Sequence, residues 1–298
     1  MSDLQARLSQ LWIYPVKSCG GVSLLSANLT ETGLEWDRAW MVVDAQGDFV
    51  SQREAPRMAL IQPTLRHLEM VLRAPGMLAL HVALHEAEEP VEVTVWGETV
   101  KAYDMGALAG QWFTDFLAQT EEGRALGPLR LVRFDPAFQR ASSTKWTQGV
   151  QALNQFSDGY PLLVLSEAAL AEFNERLTAQ GQAPVDMARF RPNLVLSEVA
   201  AHTEDHAQTL TLVTEQRPVS LRLVKPCARC SIPNVDPRTA ELQPQVSAVL
   251  ASYRQDARLE GAITFGMNAI VTEGLVPADS DAPEAVLKVG QAVQVQVF

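Results

Sequence analysis

Two cysteines three positions apart are the residues of this chain whose types and spacing most clearly permit chemistry. Cys227 and Cys230 lie in the segment KPCARC, residues 225–230. Lys225 and Arg229 flank the two sulfurs, and nearby cations favour the thiolate form of a cysteine. A thiolate ligates soft metals, but a single thiolate cannot hold a metal alone. The remaining ligands would therefore have to come from a cofactor.

Three other interpretations of the cysteine pair stay open at this point. A zinc site needs further ligands, and neither a second cysteine pair nor a well-placed histidine completes one. A thioredoxin-like dithiol opens a helix, whereas this pair follows an apolar run and precedes the helix-breaking Ser231-Ile232-Pro233. Two buried, inert cysteines are the third interpretation, because burial is the common fate of free cysteine.

Histidine chemistry is not favoured by the sequence. His202 and His206 are four residues apart and would suit zinc on a helix, but the segment AHTEDHAQT is typical of a solvated turn before a strand. The sequence contains no P-loop, no glycine-rich dinucleotide fingerprint and no nucleophile elbow. The cysteines and the basic residues are therefore the candidates for a functional site.

Basic residues recur where strands are expected to begin or end. The four that stand out are Lys17, Arg38, Arg53 and Arg191. A guanidinium bonds planar acceptors with two parallel hydrogen bonds, which suits a phosphate or an electron-rich heterocycle. Any one of them alone is ordinary surface charge, so the interpretation depends on the set.

The overall composition limits the classes of function. The 298 residues carry 24 basic and 35 acidic side chains, a net charge of −11, which disfavours binding of a nucleic-acid polymer. Three cysteines are no disulfide framework, and the sequence has neither a secretory leader nor an apolar run of membrane-spanning length. We therefore expect a soluble cytoplasmic protein without membrane association.

The elements that must position these residues are mostly strands. Short apolar or alternating runs around Gln10–Val16, Trp40–Val43, Met77–Leu84 and Val91–Val100, separated by turn signals, predict a barrel or sandwich. A helical pattern covers Ala107–Ala118. In the second half we predict strands at 129–132, 162–165, 194–196, 209–213, 220–224 and 292–298. We also predict a helix after the N-cap Ser166 that ends at Gly181, and another at 246–253.

Five motifs in order resemble one known family. They are YPVKSCGG (14–21), GLEWDRAWMVVD (33–44), FSDGYPLLVLSEAAL (156–170), FRPNLVL (190–196) and CARCSIPNVDP (227–237). Together they are similar to MOSC proteins that carry a MOSC N-terminal β-barrel domain. This group includes the mitochondrial amidoxime reducing component and bacterial reductases of N-hydroxylated bases. The resemblance implies a mainly β member of the α+β class. Its two barrel-like domains would cover residues 1–125 and 126–298, with a few flanking helices.

The resemblance also implies a cofactor and a site. The cofactor would be a mononuclear molybdenum on the dithiolene of a molybdopterin, with Cys230 as the protein ligand and with no role for pyridoxal phosphate. Asp158 falls beside the metal, and Cys227 is not a ligand. The implied cofactor contacts are Lys17, Ser18, Arg38, Arg191, Asn193 and Arg229. The chain departs from relatives at Gly159-Tyr160, Ala228 and Met267-Asn268, which affects the expected phosphate contacts.

The implied reaction is a two-electron reduction of an N–OH group of a small-molecule substrate to N–H. Three cysteines cannot build a four-cysteine cluster. No membrane anchor precedes the first motif and no iron–sulfur extension follows Phe298, so we expect a separate ferredoxin-, flavodoxin- or cytochrome-type donor. Two alternatives stay open: a protein that handles molybdenum cofactor, or sulfur as a persulfide on Cys230, without turnover, and a β-barrel protein with inert cysteines.

Overall fold

The computed structural model describes residues 3–86, 89–276 and 283–298. The strands in these ranges are β1 (Asp3–Ile13), β2 (Val22–Leu24), β3 (Ser26–Thr30), β4 (Gly33–Leu34), β5 (Trp40–Val43), β6 (Gln62–Leu65), β7 (Glu69–Arg73), β8 (Leu80–Ala83), β9 (Pro90–Val95), β10 (Glu98–Asp104), β11 (Arg130–Phe134), β12 (Leu162–Ser166), β13 (Leu194–Ser197), β14 (Ala207–Val213), β15 (Pro218–Ala228), β16 (Gln255–Asp256), β17 (Ala262–Glu273), β18 (Ala285–Lys288) and β19 (Ala292–Val297).

The helices in the described residues are fewer and short. The α-helices are α1 (Ala107–Leu117), α2 (Glu121–Ala125), α3 (Thr144–Thr147), α4 (Glu167–Ala179) and α5 (Gln245–Ala251). The 3-10 helices cover Pro56–Leu60, Met187–Phe190, Thr203–His206, Ile232–Asn234 and Ala257–Leu259. The prediction of a mainly β protein with a few helices is confirmed.

Seven strands of the main sheet close on themselves. They follow the order β12-β13-β1-β19-β14-β15-β17, and β17 pairs with β12 to complete the ring. All neighbours in the ring are antiparallel except β12 and β13. Closure leaves these seven strands without a free edge, which removes the usual site of unwanted strand pairing.

Alternation along β12 shows how the sequence fills both sides of this barrel. Leu162 and Val164 pack in its interior, whereas Leu163 and Leu165 contact an outer cluster beneath α4 and α5. Successive side chains of a strand point to opposite faces, so a strand covered on both sides reads as a continuous apolar run. The outer cluster contains a phenylalanine trio of Phe173, Phe190 and Phe265.

The N-terminal half forms two further antiparallel sheets around its own core. One has the strand order β5-β11-β10-β9 and the other β6-β7-β8. Helix α1 supplies Phe113 and Phe116 to the core beside them, as its helical spacing predicts. Trp40 and Leu131 contribute from the four-stranded sheet.

Strand pairing crosses the predicted domain boundary between residues 125 and 126 in both directions. Strand β1, at the start of the chain, belongs to the barrel formed by the second half. Strand β11 follows the boundary but pairs with β5 and β10 in the first half. The halves are thereby tied together, and the surface where they meet is fixed by paired strands.

One local prediction is wrong. The segment around His202 is a 3-10 helix before β14, as a turn would allow, but it is not solvated. Glu204 is fully buried, and its Oε1 accepts a hydrogen bond from the Ser166 backbone at 3.1 Å. His202 packs against Tyr253 and Phe265, and both of its ring nitrogens are buried without a hydrogen-bond partner among the described residues, although Glu172 Oε2 lies 3.6 Å from its Nε2. The polar sequence of this segment, AHTEDHAQT, did not indicate that Glu204 and His202 would be buried.

The burial of Glu204 predicts a pH-dependent stability. Desolvation raises the pKa of Glu204 from 4.5 to about 7 in the folded protein. Between these two pH values the Glu204 carboxyl is protonated in the folded state and ionised in the unfolded chain. The free energy of unfolding therefore falls as pH rises through this window. We expect Glu204→Gln to stabilise the protein by about 2–3 kcal/mol more at pH 8 than at pH 5. Urea unfolding at both values measures this.

The control for that measurement is Glu175→Gln, on an exposed position of α4. Burial also lowers the pKa of His202, which makes the free energy of unfolding rise with pH below pH 6.5. This contribution is present in both the wild type and the variant, so it cancels in the comparison. An equal effect of Glu204→Gln at both pH values would contradict the assignment.

Candidate functional site

A cleft where the barrel meets the N-terminal sheets collects every predicted site residue. Its lining includes Lys17, Ser18, Arg38, Asp158, Arg191, Asn193, Arg229 and Cys230. The charged residues of the described lining are six basic and one acidic: Lys17, Arg38, Arg53, Arg191, Lys225, Arg229 and Asp158. In a chain of net charge −11, this cleft is a local cationic site, which suits an anionic ligand.

Lys17 is held by the loop that follows β1. Its side chain is 7% exposed, and its Nζ donates to the Phe156 carbonyl at 2.8 Å and to Asp158 Oδ1 at 2.6 Å. Burial lowers the pKa of Lys17, whereas the neighbouring Asp158 raises it in part. A buried ammonium with both a carbonyl and a carboxylate partner is a fixed positive charge on the wall of the cleft.

Asp158 stays 70% exposed although protein surrounds its carboxylate on the inner side. Confinement at the cleft wall raises its pKa, but Lys17 and a hydrogen bond from Trp96 outweigh this and hold the pKa of Asp158 below its usual range. The carboxylate is therefore ionised at neutral pH. Its loop is held by Arg140, whose Nη1 donates to Asn154 Oδ1, the Gln155 carbonyl and the Ser157 carbonyl at 2.6–2.8 Å.

Two guanidinium groups stack on a buried tyrosine. The Cζ atoms of Arg38 and Arg191 lie 4.4 and 4.1 Å from the centroid of the Tyr14 ring. Arg38 is fixed by two bonds to Asp37, and Arg191 Nη1 donates to the Cys19 carbonyl at 2.7 Å. Burial, reinforced by Arg38, lowers the pKa of Arg191 to about 10, so it remains a cation at neutral pH.

Three of the predicted cofactor contacts have left-handed backbones. The φ angles of Ser18, Arg38 and Arg191 are 67°, 51° and 57°. Side-chain-bearing residues rarely adopt this conformation, and when they do so together the site is usually functional. The Arg191 turn is stabilised by Arg38, whose Nη2 donates to the Arg191 carbonyl at 3.1 Å.

Asn193 lies in the cleft wall with its amide engaged in the protein. Its Oδ1 accepts from the Leu163 backbone at 3.0 Å, and its Nδ2 donates to the Trp12 carbonyl at 3.2 Å. These bonds tie β12 to β1 across the start of β13. A contact from Asn193 to a ligand would use the second hydrogen or lone pair of the same amide.

The CARC segment forms the end of β15 and the turn after it; the strand was predicted to end at residue 224 but continues to Ala228. Cys230 is exposed in the cleft, whereas Cys227 is half-buried against the outer aromatic cluster. Arg229 Nη1 donates to Cys227 Sγ at 3.1 Å, and its Nη2 to the Phe190 carbonyl at 3.0 Å. Cys19 is buried, and desolvation raises the pKa of its thiol to about 12. Cys230 is thus the most exposed of the three thiols, although Cys227 also lines the cleft.

An aromatic residue that contacts the lining of the cleft was missed by sequence reasoning. Trp96, in the turn between β9 and β10, lies 5.1 Å from the Phe49 ring, centroid to centroid, and its Nε1 donates to Asp158 Oδ1 at 3.1 Å. Arg53 packs over Trp96 at 4.8 Å. The only sequence signal was a tryptophan before a glycine in a hairpin turn, which is unusual for that position.

A larger cavity lies on the other side of Arg191 and Tyr14, about 690 Å³ against about 220 Å³ for the cleft. It is lined mainly by the segments around Gly20, Leu60, Ala74, Arg189 and Pro237. Neither cysteine of the CARC segment nor Asp158 lines it. Size alone therefore does not identify the reactive site, and the accessible thiol points to the smaller cleft.

Comparison with protein families identifies this architecture as that of MOSC-domain proteins. The MOSC N-terminal beta barrel domain matches residues 5–120, and the MOSC domain matches residues 152–295. The chain belongs to the family of MOSC proteins that carry both domains.

Among curated relatives, the chain is 33% identical to the mitochondrial amidoxime reducing component 2 of Rattus norvegicus, over 83% of this chain and 72% of the relative. It is 34% identical to the mitochondrial amidoxime-reducing component 1 of Homo sapiens over the same shares. A molybdenum cofactor sulfurase of Bos taurus is 26% identical over 85% of this chain and 29% of its own length.

Metal ligation by side chains alone is not indicated. Within residues 3–86, 89–276 and 283–298, no three histidine, cysteine or acidic side chains are grouped to hold an ion.

The helices in these same ranges are all too short or too polar to cross a membrane.

The residues of the cleft fit a molybdopterin-type group. Six cations suit its phosphate and heterocycle, and the Cys230 thiol adds a soft ligand. The Nε of Arg229 is buried without a hydrogen-bond partner among the described residues, which leaves a donor for a bound ligand.

Proposed function

We propose that this protein is a molybdenum-cofactor-dependent reductase of N-hydroxylated compounds. The reaction is R–NHOH plus two electrons and two protons to R–NH2 and water. The observation that carries the proposal is the accessible Cys230 thiol in a cationic cleft of a MOSC fold, together with relatives that are named amidoxime reducing components.

The cofactor would be held by Cys230 at the metal, with Lys17, Ser18, Arg38, Arg191, Asn193 and Arg229 around the pterin and its phosphate. When bound, it would supply the two-electron transfer that reduces the N–O bond. The chain itself orients that group with fixed guanidinium groups and neutralises its charge. It also holds the Lys17 ammonium next to Asp158, the proposed proton-handling residue, with Nζ and Oδ1 2.6 Å apart at the cleft wall.

Electrons would come from a separate donor of the ferredoxin, flavodoxin or cytochrome type. We place the protein in the cytoplasm, because an exposed free thiol such as Cys230 suits a reducing compartment.

The test is reduction of an amidoxime by protein made in a host that synthesises molybdenum cofactor, with a chemical reductant in place of the donor. We expect stoichiometric conversion to the amidine at a rate proportional to molybdenum content. Full molybdenum loading without conversion of amidoximes, hydroxylamines or N-hydroxyguanidines would contradict the proposal.

A second candidate is a carrier of the cofactor, or of sulfur on Cys230, without turnover. The match to molybdenum cofactor sulfurase favours it. This candidate predicts that the protein binds molybdenum cofactor but does not reduce N-hydroxylated compounds, or that it carries a persulfide on Cys230. Mass spectrometry of the intact protein would detect the persulfide.

Asp158 is the proposed proton-handling residue. We expect Asp158→Asn to lower kcat by about 10²-fold, because the ionised carboxylate would accept protons from solvent and pass them to the substrate, and proton transfer by a positioned group contributes about 10²–10⁴-fold. The amide keeps an oxygen acceptor for Trp96, so molybdenum content should not change. Steady-state rates from pH 5 to pH 9 measure the effect. Full activity of Asp158→Asn across that range would remove Asp158 from the mechanism.

A further inference from the structure

We propose that Trp96, with Phe49 and Arg53, forms a wall of the cleft that binds the planar body of an aryl-substituted substrate. This inference rests on the reductase function proposed above and adds a substrate class to it. Trp96 is 54% exposed at the tip of the β9–β10 hairpin. Trp96 contacts three residues that line the cleft, Phe49, Arg53 and Asp158. A half-exposed indole next to a site is typical of a surface that binds a ligand.

The ring of Trp96 is held in one orientation. The Arg53 guanidinium lies 4.8 Å from its centroid, and Arg53 also packs over Phe49 at 5.6 Å. Phe49 in turn lies under the Lys17 ammonium at 5.1 Å. These contacts fix the indole while half of its surface stays accessible. A rigid aromatic face binds a flat ligand at little cost in conformational entropy.

The edge of the indole connects this wall to the reactive part of the cleft. Asp158 Oδ1 accepts hydrogen bonds from both Trp96 Nε1 and Lys17 Nζ, at 3.1 and 2.6 Å. A substrate that reaches the Asp158 carboxylate therefore lies next to the indole edge. The wall and the proposed proton-handling residue are in direct contact.

The backbone gives independent support, because local preference does not explain a tryptophan here. Trp96 and Gly97 both have positive φ angles, 54° and 80°, in a two-residue hairpin turn. Such turns favour asparagine or glycine at the first position. The contacts of the side chain, and not the turn, account for its presence.

The chemistry of the wall selects a class of substrate. A flat ring stacks on the indole, and N–H groups next to the ring donate to the Asp158 carboxylate. Aryl amidoximes and aryl N-hydroxyguanidines present both features. An alkyl amidoxime presents the same N–OH group without the ring.

The experiment compares an aryl amidoxime with its methyl counterpart on the molybdenum-loaded protein. We expect Trp96→Leu to raise KM for the aryl compound about tenfold and to leave KM for the methyl compound within about twofold. Loss of the hydrogen bond to Asp158 should change kcat for both compounds by the same factor, so the ratio of the two kcat values should stay within about twofold. Trp96→Phe keeps an aromatic face and should restore most of the aryl KM. Phe298→Leu, which removes an exposed aromatic outside the cleft, is the matched control.

A binding measurement separates this inference from the proposed function. Calorimetric titration without reductant should show aryl amidoxime binding to the wild type, and about tenfold weaker binding to Trp96→Leu with an unchanged melting temperature. Binding without turnover would support the wall and contradict the reductase. Equal affinity or equal KM of wild type and Trp96→Leu for the aryl compound, or no binding to the wild type, would overturn the wall.

Discussion

Replacing Cys230 with alanine is expected to reduce turnover of N-hydroxylated substrates by at least about 10³-fold. Cys230 is the more exposed of the two thiols that line the cleft, and a soft thiolate is the one metal ligand that the chain would supply. Cys230→Ser substitutes a harder and less acidic ligand, so it should be nearly as inactive. Steady-state reduction of an amidoxime with a chemical reductant measures both variants.

Cys227→Ala is the matched control, because it removes the neighbouring thiol from the same segment. Cys227 accepts a bond from Arg229 and packs against the outer aromatic cluster, so we expect a modest loss of stability and retained turnover. An inactive Cys227→Ala beside an active Cys230→Ala would reverse the assignment of the ligand.

Replacing Arg191 with methionine is expected to weaken retention of the cofactor by about 10- to 100-fold. Hydrogen bonds to charged groups contribute about 1.5–3 kcal/mol each, and Arg191 supplies a fixed cation at the cleft wall. Arg191→Lys should rescue little, since an ammonium does not reproduce a stacked, planar fork of donors. Molybdenum and pterin remaining after gel filtration measure retention.

The matched control is Arg176→Met on α4. Arg176 stacks on the Tyr253 ring at 3.9 Å, so its loss removes the same charge and the same type of ring contact outside the cleft. Equal loss of cofactor from both variants would indicate a general effect of charge or stability. Unchanged retention in Arg191→Met would remove Arg191 from the cofactor site.

Local sequence patterns predicted the elements because hydrophobic periodicity reflects burial directly. The continuous apolar run at 162–165 became β12, which is covered on both sides. Ser166 caps α4 by accepting from the Ala169 backbone, as a serine before a helical pattern should. Such patterns do not encode which strands pair, so the crossing of β1 and β11 between the halves was not predictable from them.

The grouping of Lys17, Arg38, Asp158 and Cys230 came from family resemblance, because these residues lie far apart in the chain. Spacing along a sequence carries no information about such distances. Resemblance in turn could not find Trp96 or Arg140, which lie outside the motifs and contact Asp158 and Ser157 within one of them. The burial of Glu204 was missed because a polar segment is ordinarily solvated.

The measurement that tests the central claim most directly is molybdenum content. Wild type and Cys230→Ala would be purified from a host that synthesises molybdenum cofactor and analysed for metal side by side. We predict near-stoichiometric molybdenum in the wild type and sharply less in the variant. No molybdenum in either protein would contradict a cofactor site in the cleft, and equal molybdenum in both would contradict Cys230 as its ligand.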